Sequence, residues 1–80
     1  MNSPIPAAEG VSGPTSDNPL TASERQILKL TAEGHTTKHI ASAMGLSEHT
    51  VKYHVKNIHR KLGVASRTQA VAIALRNGWL

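Results

Sequence analysis

The chain has 80 residues, enough for one small domain, and its formal net charge of +4 comes from nine lysines and arginines against five acidic residues. It contains no cysteine, which excludes disulfides, thiolate metal sites and cysteine nucleophiles. No apolar run approaches the roughly 20 residues that a membrane-spanning helix needs, and the N-terminus lacks the layout of a secretory signal, so we expect a cytoplasmic protein.

The basic charge is concentrated in the C-terminal part of the chain. Glu48 is the last acidic residue in the sequence. The basic residues that follow it are Lys52, Lys56, Arg60, Lys61, Arg67 and Arg76. A surface polarised in this way attracts polyanions, chiefly nucleic acid or anionic membrane. A solvated basic face without any partner has the same composition and is the alternative interpretation.

Residues 1–19 have the composition of a flexible tail or linker. Four prolines, two glycines and several serines interrupt any helical or strand periodicity in this segment. Because the segment has few apolar side chains to bury, we expect it to remain unfolded ahead of a domain that spans residues 20–80. It is either an N-terminal extension or a joint to another domain.

Two short amphipathic helices are predicted at the start of the domain. Thr21 and Glu24 have the spacing of a capping box, in which each side chain bonds the backbone N–H of the other residue. Apolar side chains at helical spacing follow, and Gly34 can supply the left-handed residue that ends the first helix. The second helix begins at residue 36 or 37, and Gly45 ends it.

The connection Gly45-Leu46-Ser47 is the most informative turn in the sequence. Ser47 is a good N-cap for a third helix over about residues 48–62. A turn of three or four residues that contains glycine sets two helices about 90–120° apart, which is the helix-turn-helix geometry. We expect Leu46 to fill the angle between the two helices.

The third helix has two distinct faces when its residues are projected at about 100° per residue. An apolar stripe, which must face the rest of the domain, consists of Val51, Val55, Ile58 and Leu62. The opposite side carries His49, Lys52, Tyr53, Lys56 and Arg60. The major groove of B-DNA, about 12 Å wide, admits one helix, and only its outward face can touch base edges. The pattern therefore favours binding to double-stranded DNA, and a protein–protein adaptor for an acidic partner is the alternative.

A fourth helix is predicted from Ser66 to about Asn77, where Gln69 has the spacing that completes a second capping box. The four helices, without a credible strand, make an all-α bundle. Apolar residues extend nearly all the way round the fourth helix, so it needs burial on two sides. An isologous homodimer, whose two-fold symmetry matches a palindromic site, can bury the second side. The predicted interface residues are Val71, Ala72 and Leu75. Packing against the first helix or another domain is the alternative.

Neither a metal site nor a catalytic site is expected. His35 and His39 have i, i+4 spacing, but His35 falls in a turn, and His54 and His59 point to different faces of the third helix. The sequence has no carboxylate pair, no nucleophile with a base and no phosphate-cradling glycine loop. We therefore expect no enzymatic activity and no cofactor.

Residues 20–80 resemble the LuxR/GerE-type helix-turn-helix domain along their whole length. The resemblance rests on the order and spacing of Leu20, Thr21, Glu24, Gly34, Lys38, Ile40, Ala41, Leu46, Ser47, Thr50, Val51, Lys52, His54, Asn57, Ile58, Lys61, Leu62, Gly63, Val64, Arg67 and Ala70. It implies a four-helix DNA-binding domain of a bacterial transcription regulator. In such domains the third helix enters the major groove and the fourth commonly forms the dimer contact.

The resemblance also implies roles for individual side chains. Contacts with bases fall on Lys52, Tyr53 and Lys56. Contacts with the DNA backbone fall on Thr37, Lys38, Thr50, Asn57, Lys61 and Arg67. RNA polymerase is a further candidate partner. The promoter-binding region of a sigma factor shares part of the layout, but the block of residues 54–64 argues against that reading.

Two positions depart from the pattern of the resembling family. Ala22-Ser23 stands where the family often has Pro-Arg, which should alter only the start of the first helix. His39 stands where the family often has a glutamate. Loss of that acid is expected to affect an internal salt bridge, with Lys61 or Arg67 as the basic partner.

Overall fold

Four α-helices and the turns between them make up residues 18–80, the part of the chain that the computed structural model describes. The helices are α1 (Ala22–Ala32), α2 (Thr37–Met44), α3 (Glu48–Leu62) and α4 (Arg67–Arg76). Because this range contains no β-strand, the all-α prediction is confirmed. The predicted flexible tail over residues 1–19 lies outside the described residues, apart from Asn18 and Pro19. None of the helices in residues 18–80 is both long and apolar enough to cross a bilayer.

Each helix begins next to a hydroxyl side chain that caps its first turn. The predicted capping box of α1 is complete: Thr21 Oγ1 accepts from the Glu24 N–H at 3.1 Å, and Glu24 Oε1 accepts from the Thr21 N–H at 2.9 Å. The caps of the other three helices are Thr36, Ser47 and Ser66. The predicted box of α4 is only half formed. Gln69 Oε1 accepts from the Ala65 N–H, whereas a complete box needs it to accept from the N–H of the N-cap, Ser66.

The core is one cluster of apolar side chains to which all four helices contribute. Its buried members are Leu20, Ile27, Leu28, Ile40, Ala41, Val51, Ile58, Ala70 and Ala74. Full burial of each large aliphatic side chain stabilises the fold by about 1.5–3 kcal/mol. Ala70 and Ala74 are both completely buried, and such small side chains allow α4 to lie close to its neighbours.

The turn between α2 and α3 consists of Gly45, Leu46 and Ser47, the three residues predicted for it. Gly45 has φ +67°, a left-handed conformation that glycine adopts without the steric penalty of a Cβ atom. The Leu46 N–H then donates to the Ala41 carbonyl at 2.9 Å, which ends α2. The Leu46 side chain is half-buried and packs against the core, as does that of Met44. This turn fixes where α3 starts relative to α2.

The first and last described residues meet on one side of the domain. Asn18 Oδ1 accepts from the Leu20 N–H at 2.9 Å, while Asn18 Nδ2 donates to the Trp79 carbonyl at 3.5 Å. The Trp79 N–H in turn donates to the Ala74 carbonyl at 2.8 Å, and its ring packs against the core. Asn18 therefore belongs to the folded unit, although the sequence placed it in the tail.

Candidate nucleic-acid interface

The third helix presents a buried face and an exposed face, as its sequence predicts. Val51 and Ile58 are 0% and 1% exposed, and Val55 and Leu62 pack against the same core. The exposed residues on the opposite side are His49, Lys52, Tyr53, Lys56 and Arg60. The apolar stripe holds α3 against the core along its length, so these five side chains are directed away from the core.

The three residues predicted to contact bases share this exposed face. Lys52 and Lys56 are four residues apart, about one helical turn or 6 Å along the axis. Tyr53 is 60% exposed, and its ring meets the edge of the His54 ring at a centroid distance of 6.0 Å. The only carboxylate on α3 is that of Glu48 in the first turn, where it interacts favourably with the helix dipole. The middle of the exposed face therefore has no negative charge.

The residues predicted to hold the DNA backbone are divided among three helices, and one cleft brings some of them together. This cleft, of about 250 Å³, is lined by Thr31, Thr37, Ile40, Val51, Lys52, Val55 and Arg67. It thus joins Thr37 of α2, Lys52 of α3 and Arg67 of α4. No acidic residue lines it. The arrangement offers a hydroxyl group and two cationic side chains to an anion.

The other backbone candidates lie outside this cleft. Lys38 is exposed on the first turn of α2, and Thr50 accepts a hydrogen bond from the Ser47 hydroxyl at 2.9 Å. Asn57 is half-buried, and its Oδ1 accepts from Arg60 Nη2 at 2.6 Å. The amide nitrogen of Asn57 remains the group that can donate to a phosphate.

Lys61 forms an ion pair with Glu24, an acidic partner that the sequence analysis did not name. Its Nζ donates to Glu24 Oε1 at 2.7 Å, and Glu24 is only 3% exposed. Burial raises the pKa of Glu24, but hydrogen bonds from Lys61 and Thr21 outweigh it and hold the pKa below its ordinary value of 4.5. The two residues are separated by 37 positions in the chain, so no local sequence pattern connects them.

His39 takes part in no salt bridge among residues 18–80, and the expected effect of the missing glutamate on a salt bridge stays a prediction. The His39 ring stacks on His35 with a centroid distance of 4.5 Å and an interplanar angle of 14°. Lys61 is paired with Glu24 instead, and among residues 18–80 no salt bridge involves Arg67. Within the same range, no three histidine, aspartate or glutamate side chains are grouped so that they could hold a metal ion.

The three residues predicted to form a dimer interface differ in exposure. Leu75 is 63% exposed, and Ala72 is also exposed on the outer side of α4. Val71 is half-buried and packs against the core of its own chain. It also lines a second cleft, of about 310 Å³, between the end of α1 and the start of α4. Leu75 and Ala72 are therefore the apolar groups that α4 presents outward.

The family model described as "Bacterial regulatory proteins, luxR family" matches residues 18–74. The chain is also similar to the solved structure of the transcription factor GerE, with a TM-score of 0.72 and 42% sequence identity. That superposition covers 74% of this chain and 88% of the GerE chain. The fold and the sequence thus point to the same group of proteins.

Individual relatives give the same result. The chain is 52% identical over 54 residues to the probable transcriptional regulatory protein SgaR of Hyphomicrobium methylovorum, covering 68% of this chain and 26% of SgaR. It is 44% identical over 61 residues to the transcriptional regulatory protein DegU of Brevibacillus brevis, and the match covers 76% of this chain and 26% of DegU. It is 48% identical over 61 residues to the spore germination protein GerE of Bacillus subtilis, and the match covers 76% of this chain and 82% of GerE. The chain spans about a quarter of the first two relatives and most of the third.

Proposed function

The chain belongs to the luxR family of bacterial regulatory proteins, and on that premise we propose that α3 of its DNA-binding domain reads operator sequence in the major groove. One observation carries this proposal: the exposed side of α3, opposite the buried Val51 and Ile58, presents two lysines and a tyrosine without a carboxylate among them. A helix supported in this way can enter a groove about 12 Å wide with those side chains toward the base edges.

Base readout falls to Lys52, Tyr53 and Lys56. A lysine ammonium group can donate to guanine O6 and N7, and the tyrosine ring can contact a thymine methyl group. Because Lys52 and Lys56 are about 6 Å apart along the helix axis, they reach different base pairs of one half-site. We therefore expect each lysine to specify its own position in the operator.

Affinity comes mainly from contacts with phosphates, which position the protein without reading sequence. We assign them to Thr37, Lys38, Thr50, Asn57, Lys61 and Arg67. Thr37 and Arg67 line one cleft next to Lys52. Their side chains can there hold a phosphate beside the groove. Lys61 has three N–H donors, of which one is used by Glu24, so the others remain for a phosphate.

We also propose that two copies of the domain bind together through α4. Leu75 and Ala72 are exposed apolar side chains on its outer side, and Val71 borders them. A symmetric contact between two such helices buries this surface and places two copies of α3 on a palindromic site. If the regulator activates transcription, RNA polymerase is a further partner.

The test is selection of duplexes from a random pool with the purified chain, followed by sequencing of the retained DNA. We expect a consensus with two-fold symmetry, and an asymmetric consensus would contradict dimeric binding alone. If duplexes are retained without any consensus sequence, the basic face of α3 binds DNA nonspecifically. No retention at low salt, together with saturable binding to an acidic protein, would favour the adaptor alternative.

A further inference from the structure

Two side chains on the exposed face of α3 have no part in the proposed function. They are His49 in the first turn and Arg60 near the end. Arg60 is engaged, because its Nη2 donates to Asn57 Oδ1 at 2.6 Å. Among residues 18–80, no hydrogen bond or ion pair involves the exposed His49 side chain, so its imidazole is available to a ligand.

The position of His49 on α3 places it in line with the base-reading side chains. At about 100° per residue, His49 lies about 20° from Lys56 and about 40° from Tyr53 around the helix axis. Thr50, by contrast, is turned about 100° away toward the flank of the helix. His49 is therefore near the midline of the exposed face, the part of a recognition helix that is directed at the floor of the groove.

The position of His49 along the axis adds to this argument. With a rise of 1.5 Å per residue, it precedes Lys52 by about 4.5 Å and Lys56 by about 10.5 Å. Successive base pairs are about 3.4 Å apart, so the interval from His49 to Lys56 covers about three base-pair steps. The first residues of a recognition helix are also those that most often contact base edges.

We propose that His49 is a further specificity-determining residue, which contacts a base at the end of the half-site nearest the start of α3. This inference rests on the proposed function. An imidazole N–H can donate to guanine O6 or N7, and an unprotonated ring nitrogen can accept from the amino group of adenine or cytosine. The contact extends the sequence read by α3 by one position beyond that of Lys52.

The test compares the wild-type chain with His49→Ala and with His59→Ala, a matched control on the same helix. Affinities are measured for the selected consensus duplex and for duplexes substituted at each position in turn. His49→Ala should lose about fivefold discrimination at one position only, the effect of one hydrogen bond. Lys52→Ala and Lys56→Ala fix the register: the position lost in His49→Ala must lie beside that of Lys52 and away from that of Lys56.

A second variant tests the same contact by strengthening it. His49→Arg can donate two hydrogen bonds to guanine, so it should increase the preference for guanine at that same position. Because the side chain is exposed, neither variant should change the melting temperature. Wild-type discrimination at every position in both variants would overturn the role of His49 and leave the proposed function standing. A wild-type chain without preference among duplexes would overturn both.

Discussion

Glu24 links α1 and α3 through the hydrogen bonds of its side chain. Its carboxylate caps the start of α1 through the Thr21 N–H and also binds Lys61 near the end of α3. A charge that is 3% exposed needs such partners, because an uncompensated buried carboxylate is strongly destabilising. The ion pair therefore helps to fix α3 against α1.

Glu24→Gln should lower the free energy of unfolding by about 1–3 kcal/mol at pH 7, because it leaves Lys61 without its counter-charge. The pKa of Glu24 lies below its unfolded value, so the contribution of the carboxylate is complete above about pH 4.5 and is lost as the pH falls through the folded pKa. Urea denaturation of both proteins between pH 7 and pH 3 should show the difference shrinking with acid.

The control for this prediction is Glu33→Gln, the same substitution at the opposite end of α1. Glu33 is exposed, and its nearest basic partner is His35 at 3.7 Å, so its removal should change stability by less than about 0.5 kcal/mol. An equal loss in both variants, or a difference for Glu24→Gln that persists unchanged at pH 3, would refute the proposed role of the ion pair.

The contacts of Glu24 show which interactions a sequence can predict. The capping box follows from the sequence because both its residues lie in one helical turn. The bond to Lys61 does not, since it depends on how α1 packs against α3. The same limit applies to Gln69, whose spacing predicts a bond to Ser66, although its side chain accepts from Ala65 instead.

At the scale of the elements, helix bounds and the two faces of α3 were predictable from local chemistry. Hydroxyl residues mark the starts of the helices, and Gly45 and Gly63 end two of them in the left-handed region. Helical periodicity separates the buried stripe of α3 from its exposed side. The cleft that joins Thr37, Lys52 and Arg67 was not predictable, because its residues come from three helices.

The outer side of α4 carries the prediction about assembly. Leu75→Glu places a charge in the proposed apolar contact between two copies, and burying an unpaired charge is unfavourable. We expect at least about a tenfold loss of affinity for a palindromic duplex, with affinity for a single half-site unchanged. Sedimentation of the protein–DNA complex should then show one bound copy where the wild-type chain shows two.

Gln26→Glu is the control for Leu75→Glu, because it adds the same charge at an exposed position on α1. It should leave the binding of two copies intact. If Leu75→Glu still binds the palindrome as a pair with wild-type affinity, α4 is not the contact between copies, and any dimer must use another surface.

At the scale of the whole molecule, the described residues carry three acidic side chains, and none of them stands among Lys52, Tyr53 and Lys56. Glu24 is buried, Glu33 is at the end of α1, and Glu48 is in the first turn of α3. The later part of the chain has basic residues only. This distribution of charge attracts a polyanion to the side of the domain that carries α3.

The salt dependence of DNA binding measures this electrostatic contribution. If each protomer neutralises about 4–6 phosphates, the logarithm of the binding constant should fall against the logarithm of salt concentration with a slope of about −0.9 per phosphate. Lys38→Ala should reduce the magnitude of that slope by about 1 for every duplex sequence. A slope near zero would contradict phosphate contacts as the main source of affinity.

The claim that α3 reads bases is tested most directly by the affinities of Lys52→Ala and Lys38→Ala for the selected duplex and for its single-position variants. Lys52→Ala should cost about 1–3 kcal/mol on the consensus and relax one base position, while Lys38→Ala weakens all duplexes alike. The contradictory result is a Lys52→Ala protein that binds every duplex more weakly by the same factor, because Lys52 would then contact only the DNA backbone.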